Sequence, residues 1–318
     1  MKNPNELEII RIFQNRFGKK SNFVANDLES LKISDVNFVV KSDMLVQSTD
    51  VPPGMKVRDI SRKSMVSCVS DFACKGIRPR YATISLALPR GITKQNIVEL
   101  AEGFALAAKQ FGIKIVGGDI NEGKEITIDV SMFGNGDKII PRGGAKNGDI
   151  IITSGPFGYT SSGLEIILHN RKAETRFLKK SKKSVFTPTP RLEFGLKAAK
   201  YFSSSMDSSD GLSITLNDMC TQSRKRFVIT RLPVGKDISE FARKNRISLI
   251  DLVFCGGEEY EIVATVSKKN LRSVRKLARK FDAPYFEIGH VTSGNNVVLA
   301  DKERERVIKR CGWVHLKS

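Results

Sequence analysis

The sequence predicts an α/β (α+β) fold in two domains, residues 1–144 and 145–318. Three observations carry that expectation. The chain has 318 residues, more than one hydrophobic core usually needs. Strand-like and helix-like stretches alternate along both halves, the pattern of layered sheets and helices. Several strand-like stretches follow one another as hairpin neighbours do, and hydrophobic residues make up 40% of the chain, enough for packed interiors.

The elements follow in order. ELEIIRIFQNRFG places Leu7, Ile10, Phe13 and Phe17 at helical spacing and stops at Gly18. VNFVVKSD (36–43) reads as a strand ending in Asp43. Residues 57–79 read as a helix closed by Gly76 and Pro79, and 81–89 as a strand. Thr93 caps a helix over 94–111. IKIVGGD (113–119) reads as a strand that stops at Gly117, Gly118 and Asp119. EITIDVSMF (125–133) alternates, as a strand with one buried face does. The second half opens near residue 145 with a strand (148–155), a glycine-rich turn and a helix (160–169). RKAETRFLKKSKK (171–183) has few apolar residues and reads as a mobile loop. A helix over 190–202 precedes SMDSSDGLS (205–213), and another helix starts at 211. Strands over 226–232 and 258–266, a helix over 268–281, and strands over 285–291 and 296–300 complete the chain. No short-period repeat is present.

No apolar run approaches the roughly 18 residues that a membrane helix needs. The opening MKNPNELEII carries an acid where a signal peptide would be apolar. A soluble, cytoplasmic protein is expected. The five cysteines (Cys68, Cys74, Cys220, Cys255 and Cys311) form no CxxC pair and are odd in number, so they read as reduced core thiols rather than a disulfide framework or zinc ribbon. His169, His290 and His315 lie far apart, which gives histidine-based metal chemistry little support. The net charge of +19 fits nucleic acid, an anionic surface or small anionic ligands. It is spread over 171–183, RSVRKLARK (272–280) and DKERERVIKR (301–310). The last two alternate charge with apolar residues, as solvated helix faces do. No basic stripe is interleaved with aromatics, so nucleic-acid binding is disfavoured.

Asp27, Asp43, Asp71, Asp119, Asp207 and Asp210 mostly stand at element ends or beside Gly, Ser or Asn. Glycine lets backbone amides approach an anion, and helix N-termini favour one. Aspartates there would repel that anion unless a divalent cation lies between, and hard oxygen donors suit Mg²⁺. Two carboxylates about 4 Å apart repel by about 4 kcal/mol at an effective dielectric near 20. Convergence therefore implies bound cations or raised pKa values. Taken singly, each aspartate also reads as a turn residue, a helix cap or a solvated helix residue. GYTSSGLE (158–165) has the spacing of a phosphate-binding loop but carries Leu164 and Glu165 in place of the required Lys and Ser/Thr.

Seven stretches in order, KSDMLVQSTDVP, SDFACKGIRP, LALP, VGGD, RGGAKNGDIIITSGPFG, SMDSSDGL and CGGEEYEIVATV, resemble the thiamine-monophosphate kinases, of the superfamily that includes aminoimidazole ribonucleotide synthetase and selenophosphate synthetase. The resemblance implies that superfamily's two-domain fold, with an N-terminal sheet domain for ATP, Mg²⁺ and dimerisation and a C-terminal α/β domain completing the site. It implies direct, Mg²⁺-dependent transfer of the ATP γ-phosphate to thiamine monophosphate, by positioning and charge neutralisation rather than acid–base work. It also implies a homodimer paired through the N-terminal sheets. Carried over by residue, Asp27, Ser42, Asp43, Asp71, Asp119, Asp207 and Asp210 would hold metal. Gly118, Asp119, Arg142 and Ser209 would contact ATP. Asp50, Glu258 and Trp313 would contact the acceptor, although Trp313 alone also reads as a core tryptophan.

Three positions depart from the family pattern. Ala25 and Asn26 replace the Gly and first acid of Gly-Asp-Asp. Asp50 stands where bacterial members often carry histidine, and Glu259 replaces an aspartate. Two alternatives remain from the sequence: a purine-pathway enzyme of the same superfamily, and a basic RNA-binding protein. Selenophosphate synthetase is disfavoured, because the first cysteine, Cys68, lies within a helix rather than in a glycine-rich N-terminal segment.

Overall fold

The structure, a computed structural model, describes residues 4–16, 26–136, 138–301 and 304–316. Phe17, Gly18 and Ala25 lie outside the described residues, as does the side chain of Leu7. The first half contains α1 (Glu6–Arg16), β1 (Glu29–Ile33), β2 (Val36–Val46), α2 (Gln47–Asp50), α3 (Val57–Lys75), β3 (Pro79–Pro89), α4 (Lys94–Phe111), β4 (Lys114–Gly123) and β5 (Thr127–Asn135). The second contains β6 (Ile150–Thr153), α5 (Tyr159–His169), α6 (Thr175–Phe186), α7 (Leu192–Ala198), β7 (Phe202–Ser208), α8 (Leu212–Ser223), β8 (Arg226–Ile229), α9 (Lys236–Asn245), α10 (Leu249–Phe254), β9 (Glu261–Val266), α11 (Leu271–Lys280), β10 (Phe286–Thr292), β11 (Val297–Ala300) and β12 (Glu305–Val307). The first five strands form one sheet in the order β1-β2-β5-β3-β4. The other seven form a second, β12-β11-β8-β10-β6-β9-β7. Only β3–β4 and β8–β11 pair in parallel among the described strands.

Helix α3 lies between the sheets. It packs on β2 and β5 of the first and on β7 and β9 of the second, with α4 and α7 beside it. One core therefore spans both sheets: Met65, Val69 and Phe72 of α3 join Ile128 and Val130 of β5 and Ile262 and Ala264 of β9. The neighbouring helices approach at glycines. A Cβ on Gly103 of α4 would lie 2.1 Å from the Arg58 carbonyl, and one on Gly195 of α7 would lie 2.0 Å from the Ala73 carbonyl. The helix ends at Gly76 (φ 70), whose N–H donates to the Ala73 carbonyl while Ile77 N–H reaches that of Phe72.

Several expectations change. β2 runs past Asp43 because its ladder with β5 continues to Val46↔Thr127. β4 runs past the double glycine to Gly123, paired throughout with β3. A Cβ on Gly118 would sit 1.8 Å from the Ile84 carbonyl, so that glycine admits the neighbouring strand instead of ending its own. Residues 171–174 are loop, but from Thr175 the expected loop is helix: α6 buries Phe177, Ser181 and Val185 at four-residue spacing, and Phe177 stacks on Phe241 of α9 at 4.9 Å. Within 301–310 the observed element is the edge strand β12, not a helix. α9, α10 and β1 were not foreseen; α9 is an amphipathic helix whose Ile238, Phe241 and Ala242 point inward.

The cysteine expectation is also corrected. Cys68, Cys74 and Cys220 are free and buried, but Cys255 and Cys311 form a disulfide with Cα atoms 5.0 Å apart. Their separation of 56 residues gives no local signal. The partners meet because the C-terminal segment folds back: Trp313 N–H donates to the Asp210 carbonyl at 3.0 Å and Cys311 N–H to Ser213 Oγ at 3.2 Å. Among the described residues no helix is long and apolar enough to cross a membrane. Thiol titration of the denatured protein is expected to count three thiols before reduction and five after it. Five before reduction would remove the bridge.

Candidate active site

The seam between the two sheets is lined with buried charge. Asp27 (1% exposed), Asp71 (5%) and Asp207 (3%) converge there from the segment before β1, from α3 and from the end of β7. Asp43 joins them from β2, because Lys41 Nζ lies 3.1 Å from Asp43 Oδ1 and 2.9 Å from Asp71 Oδ2. Carboxyl oxygens of Asp27 and Asp207 and the Cys74 thiol lie within 4.8 Å of one another. Ser70, one residue before Asp71, donates from Oγ to Asp207 Oδ2 at 2.8 Å.

The carboxylates are not equivalent. Burial pushes the Asp207 carboxyl up, and the Asp27 charge adds to it, to about 7 despite the pull of Lys41, Ser70 and Arg142. Burial also drives Asp71 well above the usual carboxylate range, aided by Asp207, Asp43 and Asp27 and opposed by Lys41. Asp27 behaves oppositely. Burial raises its pKa, but Lys75 and Arg142 outweigh burial and hold it at about 2. Lys75 Nζ sits 2.7 Å from Asp27 Oδ2 and donates to the Ser205 carbonyl at 2.6 Å. Arg142 donates from Nε and Nη2 to Asp27 Oδ1 at 2.8 and 2.5 Å.

These groups decide the fit of Mg²⁺. Asp43, Asp71 and Asp207 are hard oxygen donors whose mutual repulsion a divalent cation would relieve, so they fit it. The Cys74 thiol is a soft donor and does not. Both oxygens of Asp27 pair with Lys75 and Arg142, and the same carboxylate lies beside Asp207, close enough for the two to share an ion.

Beside the cluster lies a second set of expected residues, joined through the backbone. Ser209 accepts at its carbonyl from Glu258 N–H at 2.5 Å, and the next carbonyl, of Asp210, holds Trp313. The Asp210 carboxyl is raised by burial and by Glu6, while His315, Lys41 and Arg142 pull it down, so it stands within the field of the cluster. Trp313 is not a core residue: it is 51% exposed, with its ring edge-on to His315 at 5.8 Å. The disulfide to Cys255 fastens its segment to the turn that carries Glu258. Asp50 ends α2; its Oδ2 accepts from Val46 N–H at 2.7 Å, so this carboxylate shapes its own turn.

Two expected groups are not brought into the cluster. Ser42 neighbours Asp43 on β2 and so faces the opposite side of the sheet, where it donates to Asp129 Oδ2 at 2.8 Å and meets Ser131 Oγ at 3.0 Å. Gly118 and Asp119 sit on exposed β4. The row Asp43–Val130–Ile84–Gly118 crosses three strand spacings, about 14 Å at the usual spacing. Sequence reasoning also missed three lysines and the role of Glu259. Lys41, Lys63 and Lys75 are ordinary lysines in the sequence and are paired with carboxylates here. Glu259 caps α5, accepting from Gly158 N–H at 2.7 Å and Thr160 N–H at 3.2 Å, with burial raising its pKa to about 7. The one available signal was the carboxylate in a glycine-flanked turn.

Comparison with known proteins completes the picture. Residues 26–136 match the AIR synthase related protein N-terminal domain, and 146–302 match the AIR synthase related protein C-terminal domain. The chain is 47% identical to the thiamine-monophosphate kinase of Nitrosopumilus maritimus over 317 residues, all of both chains. It is 32% identical to that of Pyrococcus horikoshii, covering 100% of this chain and 98% of the relative. Among solved structures, AaThiL complexed with AMPPCP and TMP superposes with a TM-score of 0.86 at 24% identity, covering 98% of this chain and 97% of the other.

Replacing Asp27 by Asn should leave two buried cations short of an anion and lower the unfolding free energy by about 3–5 kcal/mol at neutral pH. The Asp27 pKa is depressed on folding from 3.8 to about 2. Its stabilisation is therefore present above about pH 4 and lost as pH falls towards about 2. Urea unfolding across that window should show the wild type converging on the variant, and a constant gap would count against this account.

Proposed function

The chain belongs to the thiamine-monophosphate kinases, ATP-dependent kinases of the AIR synthase related family, and on that premise we propose that its buried carboxylates hold Mg²⁺ between ATP and thiamine monophosphate. The chain phosphorylates thiamine monophosphate. The observation that supports the metal reading is the convergence of Asp43, Asp71 and Asp207 at the seam, with Asp71 kept hard to ionise by burial and the nearby Asp207, and Asp207 by burial and the Asp27 charge. Asp43, Asp71 and Asp207 would hold Mg²⁺, which would supply neutralisation of phosphate charge there.

The chain's own groups do the rest by position. Asp210 and Ser209 extend the cluster outward, and Arg142 presents a guanidinium at its edge. We assign ATP contacts to Gly118, Asp119, Arg142 and Ser209, and acceptor contacts to Glu258, Trp313 and the Asp50 turn. No strong base is required, because the acceptor phosphate is already largely ionised near neutral pH. Exclusion of water by the buried seam strengthens each charge interaction.

We also propose that residues 1–144 and 145–318 act as two domains of a cytoplasmic homodimer. Exposed apolar residues on the first sheet, Met44, Tyr81, Val116 and Ile120, supply a pairing surface. Gly118 and Asp119 share the open strand β4 with the last two, so pairing would bring them to an interface. The disulfide is the one feature that runs against a reducing compartment.

Incubation with Mg-ATP and thiamine monophosphate is expected to give thiamine diphosphate and ADP, with no product when the metal is chelated. Asp71→Asn should lower kcat about a hundredfold or more while the fold persists. Full turnover in that variant would refute the metal reading. Sedimentation is expected to show a dimer at micromolar concentration, and a monomer alone would remove the pairing.

A further inference from the structure

Lys63 belongs to neither charged set described above, yet it touches both acceptor-side segments. It lies two turns before Ser70 on α3, and its side chain is 2% exposed. Its ammonium sits 2.5 Å from Glu258 Oε1 and donates to the Asp50 carbonyl at 2.8 Å. One buried cation on the central helix thus ties α2 of the first half to the turn between α10 and β9 of the second. Glu258 needs such a tie. Its φ is 62, in the left-handed region that a glutamate seldom adopts, and its backbone is held by its N–H to the Ser209 carbonyl and by a long 3.4 Å bond from Thr160 Oγ1 to its own carbonyl.

We infer that Lys63 is a positioning residue for the phosphate acceptor: it fixes the Glu258 carboxylate and the Asp50 turn at one separation, so that both meet the thiamine moiety together. Occupying Oε1 fixes the carboxylate's orientation and leaves Oε2 to face the acceptor's cationic ring. The tie does not reach the seam carboxylates, which have their own partners: Asp71 pairs with Lys41, Asp207 with Ser70, and Asp27 with Lys75 and Arg142. The inference rests on the reading of Glu258 and Asp50 as acceptor contacts.

Steady-state kinetics of the full-length enzyme test it. Lys63→Met should raise KM for thiamine monophosphate about tenfold or more, with kcat and KM for ATP held within about twofold. Lys63→Arg should recover part of the loss. A purely structural lysine would instead lower the melting temperature and the active fraction and leave both KM values unchanged, and that result would overturn the inference. Glu258→Gln separates the two layers of argument. If it raises the acceptor KM and Lys63→Met does not, the lysine's role falls and the site stands. If Glu258→Gln leaves that KM unchanged, the acceptor site is misread and the inference falls with it. If both raise it, the double variant should be no worse than the poorer single one, and full additivity would overturn the tie. Should Lys63→Met fail to fold, Lys63→Arg carries the test: the acceptor KM must move at least about threefold while the ATP value holds.

Discussion

The structure depends on one constraint: α3 is packed on both sides by sheets, yet it carries charge. A helix buried all round is ordinarily apolar, because an unpaired charge in such a place is prohibitively costly. Here Lys63, Asp71 and Lys75 must each find a partner, and each partner comes from a different stretch of chain. Glu258 comes from the turn before β9, Lys41 from β2, and Asp27 from ahead of β1. Ser70 reaches Asp207 on β7 in the same way. The charges therefore fix how the sheets dock, and the site forms where they dock. Such pairs contribute little net stability, but losing one partner is expensive.

Much of the first sheet was legible because β5 alternates and the neighbouring helices end at glycines with φ near 70. The errors have physical sources. Lysine-rich α6 hides a stripe of only three buried residues, and the double glycine in β4 serves close strand approach rather than a break. The disulfide joins segments brought together only by the return of the C-terminus.

The site was legible in its anions and illegible in its cations. Aspartates beside Gly and Ser were conspicuous, whereas Lys75, just before Gly76, reads as an ordinary exposed cation at a helix C-terminus. Only the sandwiching of α3 buries it. Ser42 was a different case, since neighbouring residues of a strand face opposite sides and only one of Ser42 and Asp43 could reach α3. Asp27 was found for its place, but its pairing with Lys75 and Arg142 was not legible, because those cations reach it only once the sheets have docked.

The cap that Glu259 places on α5 has a wider consequence. A glycine-rich turn leading into a helix is the usual cradle for a polyphosphate, held by free amides and the helix dipole. Here those amides are already taken by a carboxylate from within the chain. That end of the helix is electrostatically spent and offers no free-amide cradle to an anion. Phosphates brought to this seam would meet side-chain cations such as the Arg142 guanidinium rather than free backbone amides.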